Sequence, residues 1–199
     1  MDPVHIDAAG ESTALPSPIP TSMTLDQALK RRRSTRVFLP DSFSLPALSA
    51  LLWAAFGVNR GQHGGRTAPS AHDWKEIDLY AVLAEGTHRY EPHTHRLFPV
   101  TRADLRALTG LQDFVATAPV NLVYVADFDC MGEVDPSDRA FLAGADAGCI
   151  AQNVYLHCAA AGLVTVVRAS IDRRALAQAL GLRPAQRITL AQTVGYPRP

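Results

Sequence analysis

The longest helical pattern in the chain opens at Ser137 or Asp138, runs to about Ala161 and closes at Gly162, a residue suited to the left-handed position after a helix end. It is apolar almost all round, and Gly144, Ala145, Ala147, Gly148 and Ala151 crowd its middle. A helix with so little polar face has to be buried, and its small side chains let a neighbouring helix approach closely. Other elements must therefore pack around it. The 199 residues suffice for one domain with a sizeable core, and 47% hydrophobic against 19% charged residues is a globular composition that excludes wholesale disorder.

The remaining pattern supplies those elements. Thr24-Leu25-Asp26-Gln27 fits a capping box and predicts a helix through Leu29 toward Arg33. Ser44 caps a second helix to Phe56, with Pro46 in the first turn and Leu48, Leu51, Leu52 and Ala55 at helical spacing. Gly61, Gly64, Gly65 and Pro69 predict a loop from Val58 to Asp73, longer than most connections and hence a place for function. Glu76 to Leu83 alternates as a strand does, and the Glu85-Gly86 turn leads into a short strand from His88 to Tyr90. Thr101 caps a further helix through Leu108, and Val120 to Ala126 is a continuous apolar run of the central-strand type. Val164 to Val167 and Ile188 to Val194 read as strands either side of a helix from Asp172 to Leu180 that Gly181 stops. Helices first, then strands separated by both a hairpin and helices, predict an α+β fold over a strictly alternating parallel one.

Residues 1–22 carry Pro3, Pro16, Pro18 and Pro20 and read as a flexible leader ahead of a single domain at residues 23–199. The leader's Asp2, Asp7 and Glu11 are unmatched by any Lys or Arg, which leaves the rest of the chain with a formal charge of +3. It has neither the basic start nor the apolar core of a signal peptide, so a cytoplasmic location is expected, with the periplasm as the alternative were a signal removed. No apolar run approaches the roughly 18 residues of a membrane span, so no membrane is expected as a partner. Lys plus Arg and Asp plus Glu both number 19, and without a global basic field no nucleic acid partner is expected either. Cys130, Cys149 and Cys158 show no C-x-x-C spacing. His63, His72, His88, His93 and His95 lack carboxylate or cysteine partners at ligand spacing, so no metal is expected. Neither G-x-G-x-x-G nor a P-loop occurs.

The densest chemistry is Lys30-Arg31-Arg32-Arg33-Ser34-Thr35-Arg36, five cations in seven residues at the end of the first helix. Guanidinium groups fork onto phosphate oxygens and the Ser hydroxyl adds a donor, which suits a terminal phosphate. The same residues equally read as a solvated helix end whose cations complement the negative pole of the dipole.

Arg32 to Phe38 resembles the R-x-S-x-R-x-F opening of the nitroreductase-like flavoprotein superfamily. Further on, Pro69-Ser70-Ala71 resembles its P-S-A/S segment, Ala147-Gly148-Cys149-Ile150-Ala151-Gln152-Asn153 its small-residue central helix, and Gly195-Tyr196-Pro197 its terminal G-Y-P. The phrases span Leu25 to Pro197 in the family's order, and the spacing most resembles the branch of SagB and thiazoline-oxidase-type dehydrogenases.

The resemblance implies a nitroreductase-like α+β fold, a central mostly antiparallel sheet flanked by helices, in an interlocked homodimer with FMN at each of two interface sites. It implies Arg32, Arg33 and Ser34 at the phosphate and ribityl chain, and Arg36 near N1 and O2 of the ring, where a cation stabilises the anionic reduced flavin. Pro69, Ser70, Ala71 and His72 would reach the flavin from the partner subunit, Val166, Val167 and Arg168 would pass near the ring, and Arg198 would assist the phosphate. The implied activity is an FMN-dependent oxidoreductase with ping-pong hydride transfer through flavin N5, from NADH or NADPH to an electron-poor acceptor such as a nitro compound or quinone. Three alternatives remain: a flavin-handling protein without turnover, a phosphate-recognising, non-catalytic domain that uses only the Arg cluster, and a SagB-like dehydrogenase that oxidises a substrate without NADH or NADPH. In the last, His72 and Asp73 are the candidate bases.

Overall fold

The computed structural model describes residues 11–61 and 64–198. Along the chain run strand β1 (Thr13–Ala14), helices α1 (Leu25–Arg31) and α2 (Leu45–Phe56), and strands β2 (Val58–Arg60) and β3 (Gly65–Arg66). A meander of β4 (Ile77–Leu83), β5 (Gly86–Glu91) and β6 (Arg96–Thr101) follows, then β7 (Val120–Asp127), α3 (Pro136–Ala161), β8 (Val164–Arg168), α4 (Arg173–Leu180) and β9 (Gln186–Gly195). Seven of the strands form one sheet in the order β1-β6-β5-β4-β7-β9-β8, and every described pairing in it is antiparallel. This is the expected α+β architecture of a large antiparallel sheet flanked by helices.

β7 lies between β4 and β9, and all eight of its residues are buried. Its period of two feeds two cores: Leu122, Tyr124 and Ala126 pack with Leu51, Phe56, Ile150 and Val154 on the α2/α3 face, while Val123 and Val125 pack with Leu176 and Ile188 on the α4 face. Burial on both faces is why this strand reads as a continuous apolar run instead of an alternation.

The helix ends follow local rules. At α1 the Thr24 hydroxyl accepts from the Gln27 amide at 3.3 Å while the Gln27 side chain accepts from the Thr24 amide at 3.2 Å. The helix stops at Arg31, short of the expected Arg33, and the chain then leaves it extended: Ser34 bridges to Thr165, whose carbonyl accepts from the Thr35 amide at 2.9 Å. Gly162 and Gly181 close α3 and α4 at positive φ of 72° and 65°. No helix among the described residues is long and apolar enough to cross a membrane.

Several expectations change. Within the expected leader, Thr13–Ala14 pair with Leu97 and Arg96 at the sheet edge, Leu15 is buried, and the Ser49 hydroxyl donates to the Pro16 carbonyl at 2.5 Å. Residues 1–10 of that leader, like His63, lie outside the described residues. The expected 58–73 loop carries the β2–β3 ribbon and a 3-10 turn at Ala71–Asp73. The helix expected after Thr101 is two short 3-10 turns, Arg106–Thr109 and Asp113–Ala116, separated at Gly110, and the meander gains β6 as a third strand. Finally, α3 is not buried all round. Ala143, Ala147, Ile150, Val154 and Cys158 face the core, but Gly144, Gly148 and Cys149 are exposed and Phe141 is 73% exposed, because the sheet and α2 cover one side only.

Candidate functional site

Where α1 ends, residues 30–35 meet the C-terminal half of α3 and the start of β8 around a cleft of about 510 Å³. That volume lies within the roughly 300–1,000 Å³ of small-molecule sites. Lys30, Arg31, Arg32, Arg33 and Thr35 line one side, and Tyr155, Gly162, Thr165 and Pro197 line the other. Among the described residues, no ion pair engages any of these cations or Arg36. A solvated helix end accounts for Lys30 and Arg31, which stand in the last turn of α1, but not for Arg32 and Arg33 in the extended chain that bounds the cleft. The donor set, several guanidinium groups and a hydroxyl without a carboxylate, fits a phosphate.

Tyr155 organises this side of the cleft. The Val167 amide donates to its phenolic oxygen at 3.0 Å, and the same oxygen lies 2.7 Å from Ser34 Oγ. The Arg32 guanidinium sits over its ring at 5.1 Å from the centroid. When Tyr155 donates its proton to Ser34, the Ser34 proton is left free to point at an anion, a chain of donors running from β8 to Ser34, which stands between the cleft-lining Arg33 and Thr35. Sequence reasoning missed Tyr155; its signal is a phenol on a small-residue helix, which needs a polar partner when buried.

Of the strand end Val166-Val167-Arg168 expected near the ring, the Arg168 side chain points into the interior. It is 6% exposed, donating to the Thr109 carbonyl at 2.6 Å, Asn121 Oδ1 at 2.9 Å and Thr193 Oγ1 at 3.1 Å. Burial without a carboxylate partner pushes its pKa down to about 10. It ties β8 to β7, β9 and the 3-10 turn at Arg106–Thr109. Val166 is buried, whereas Val167 contributes its amide to Tyr155. Arg36 is exposed outside the cleft lining, and Arg198 is exposed with its Nε donating to the Phe38 carbonyl at 3.2 Å.

The second group of candidates does not join the cleft within one chain. Pro69, His72 and Asp73 are exposed and Ser70 and Ala71 half-buried, and none of the five lines it. His72, Asp73 and Lys75 all adopt positive φ, at 50°, 58° and 54°. Each left-handed residue costs about 1–2 kcal/mol, so the turn has to be held from outside. His72 stacks on Trp74 at 4.4 Å, and Asp73 pairs with Lys75 at 2.7 Å on the surface. From below, Asp146 Oδ2 accepts from the Ala71 amide at 2.7 Å and Glu76 Oε2 from the Ser70 hydroxyl at 3.0 Å. Neither carboxylate was singled out from sequence.

The weighed histidines are elsewhere. His88 is buried in β5, where desolvation pushes its pKa down, and His95 bridges Ser49 and Tyr90 at 2.7 and 2.8 Å. Among the described residues, no three His, Cys, Asp or Glu side chains cluster as metal ligands.

The sequence profile of the nitroreductase family matches residues 29–196. A protein of Methanocaldococcus jannaschii, provisionally assigned as a nitroreductase, is 31% identical over 168 residues, which are 79% of this chain and 84% of that one. A crystal structure from Ralstonia eutropha JMP134, with the same provisional assignment, aligns at a TM-score of 0.91 and 44% identity over 100% of this chain and 96% of its own. A Desulfovibrio desulfuricans relative crystallised with FMN shares the fold at a TM-score of 0.65 and 23% identity, covering 90% and 89% of the two chains.

Proposed function

Because the chain belongs to the nitroreductase family, we propose that it is an FMN-dependent oxidoreductase whose cofactor phosphate docks in the cationic cleft. The observation that carries this reading is the concave cluster of Arg31, Arg32 and Arg33, free of carboxylates and joined by a Ser34 hydroxyl that Tyr155 orients. When bound, FMN would supply the two-electron chemistry between NADH or NADPH and a nitro compound, quinone or similar acceptor. Arg32 and Arg33 neutralise the phosphate and Ser34 donates to it; Arg36, further along the same extended segment, is the cation offered to the ring, and Arg198 assists from the C-terminal side. Pro69, Ser70, Ala71 and His72 come from a second copy of the chain.

The homodimer is supported by what one copy leaves uncovered. Phe141 is 73% exposed, Leu25 63% and Leu29 50%, and beside Phe141 runs the small-residue face of Gly144, Gly148 and Cys149. Large apolar side chains left this exposed on α1 and α3 are what a second copy would cover.

The test is the visible spectrum of the purified protein after incubation with FMN and desalting, followed by anaerobic addition of NADH or NADPH. Retained flavin and bleaching are expected, and the Arg32→Ala/Arg33→Ala variant is expected to lose the flavin. Retention without bleaching by either nucleotide refutes the nicotinamide half-reaction and favours a dehydrogenase with another donor, in which His72 and Asp73 are the first bases to test. Failure to retain flavin overturns the cofactor assignment.

A further inference from the structure

Beneath the turn at Ser70–Lys75, away from the cationic cleft, two carboxyl groups meet in the interior. Glu76, just before β4, is 1% exposed, and Asp146 on α3 is 6% exposed. Neither has a cationic partner among the described ion pairs: Lys75 turns outward to Asp73, and Asp127, whose amide donates to the Glu76 carbonyl, is engaged by Arg183. Each carboxyl holds the turn by one oxygen, Glu76 Oε2 accepting from the Ser70 hydroxyl and Asp146 Oδ2 from the Ala71 amide. Glu76 Oε1 is buried without any donor, and the Asp146 carboxyl is held at the next residue of the same turn, Ala71, beside the Ser70 that Glu76 engages. A buried acceptor left without a donor is costly, and two adjacent carboxylates do not both ionise in a poorly solvated interior. A proton on one of them, bonded to the other, removes both difficulties.

We propose that the buried carboxyl groups of Glu76 and Asp146 share one proton and so form a clamp that positions the Ser70–Ala71 turn. Burial, and the neighbouring Asp146 charge, hold the Glu76 carboxyl above the ordinary carboxylate range, in keeping with the shared proton. The clamp has a mechanical reason. Three left-handed residues in four make the turn unfavourable alone, and the two carboxyl groups secure its entry from two sides, Glu76 from the chain leading into β4 and Asp146 from α3. Its consequence for flavin rests on the function proposed above, since Ser70 and Ala71 are the residues assigned there to the cofactor of the partner subunit; the shared proton does not depend on that assignment. A carboxyl with a raised folded pKa stabilises the fold fully at low pH, and the contribution is lost as pH rises through the folded value. Raising the pH through that folded value therefore removes the proton, sets the charges against each other and loosens the turn.

Glu76→Gln puts an amide donor where the shared proton would be, at nearly the same volume. The urea midpoint of the purified protein, with whatever flavin it holds, is measured between about pH 5 and 9 for wild type, Glu76→Gln and Asp146→Asn. The wild-type midpoint is expected to decline as pH rises above the ordinary carboxylate range and through the folded value, relative to Glu76→Gln, whose curve lacks that decline, with Asp146→Asn behaving alike. Infrared difference spectra are expected to show the carbonyl band of a protonated buried carboxyl in wild type on the acid side of that decline and not in Glu76→Gln. If Glu76→Gln keeps the wild-type pH dependence, or the band is absent from wild type, the shared proton is refuted. Positioning has its own readout: in flavin-loaded protein, the flavin absorption envelope is expected to titrate with the wild-type midpoint and to stay constant in Glu76→Gln. A constant envelope in wild type, alongside the urea and infrared results expected above, refutes positioning while leaving the shared proton intact. Loss of flavin binding altogether refutes the cofactor assignment alone.

Discussion

Tyr155→Phe removes one oxygen and leaves the ring, so the Arg32 stacking at 5.1 Å survives while two hydrogen bonds disappear. The Val167 amide belongs to β8, an edge strand whose other side pairs with β9, and it loses its acceptor at 3.0 Å. An orphaned buried donor costs about 1–3 kcal/mol, and because Val167 is only half-buried the lower part of that range applies, about 1–2 kcal/mol. For a chain of this size each kcal/mol moves Tm by roughly 2–4 °C, so circular dichroism melting is expected to show a fall of about 2–8 °C. Ser34 is exposed and replaces its lost partner with water at little cost to the fold, but its hydroxyl is no longer oriented as a donor. A hydrogen bond to a charged group contributes about 1.5–3 kcal/mol, and losing about half of it raises the Kd for FMN roughly tenfold. Riboflavin, which lacks the phosphate, is the control: fluorescence titration is expected to show its affinity changed less than about twofold. Equal weakening of both flavins would refute the phosphate assignment, and an unchanged FMN affinity would show that Ser34 is not a donor to it.

Other perturbations probe the frame around the cleft. Arg168→Met strands the Thr109 carbonyl, now bonded at 2.6 Å, and removes donors from Asn121 and Thr193; set against relief of a buried charge, a loss of about 2–3 kcal/mol is expected from urea denaturation. Gly57→Ala places a Cβ 2.4 Å from Trp53 Cδ1 and 2.7 Å from the Trp53 carbonyl oxygen, and this overpacking at the end of α2 is expected to lower stability by about 1–3 kcal/mol in the same assay. Burial pushes the His157 pKa from 6.5 to about 4. The folded chain thus binds fewer protons than the unfolded one, so stability is whole above pH 6.5 and falls by up to about 3 kcal/mol as pH drops through that window. His157→Gln is expected to flatten that acid limb, and an unchanged limb would assign it to other groups.

What was legible in the sequence was local. A capping box closes within four residues, so Thr24 and Gln27 marked the start of α1 before any packing was known. Gly162 and Gly181 marked helix ends because a left-handed residue is a property of one dihedral pair. The run from Val120 announced a strand covered on both faces, and the Arg cluster was visible because five cations are contiguous in the chain. β6 went unrecognised: Pro99 interrupts its run and its partners, β1 and β5, decide the pairing. β1 is two residues long and exists only through Leu97 and Arg96 of β6.

The site divides in the same way. The sequence by itself determined the cation-rich segment, the long small-residue helix and the central strand, because periodicity, capping and charge density act over a few neighbouring residues. Only the tertiary structure decided what those parts do to each other. Ser34 meets Tyr155 across 121 residues, Ala71 meets Asp146 across 75, and Arg168 meets Thr109 across 59. It turned Arg168 from an expected cofactor contact into an interior tie, and it brought together Glu76 and Asp146, which nothing local connects. Such contacts depend on closing long loops and excluding water, and those terms are set by the whole packed chain.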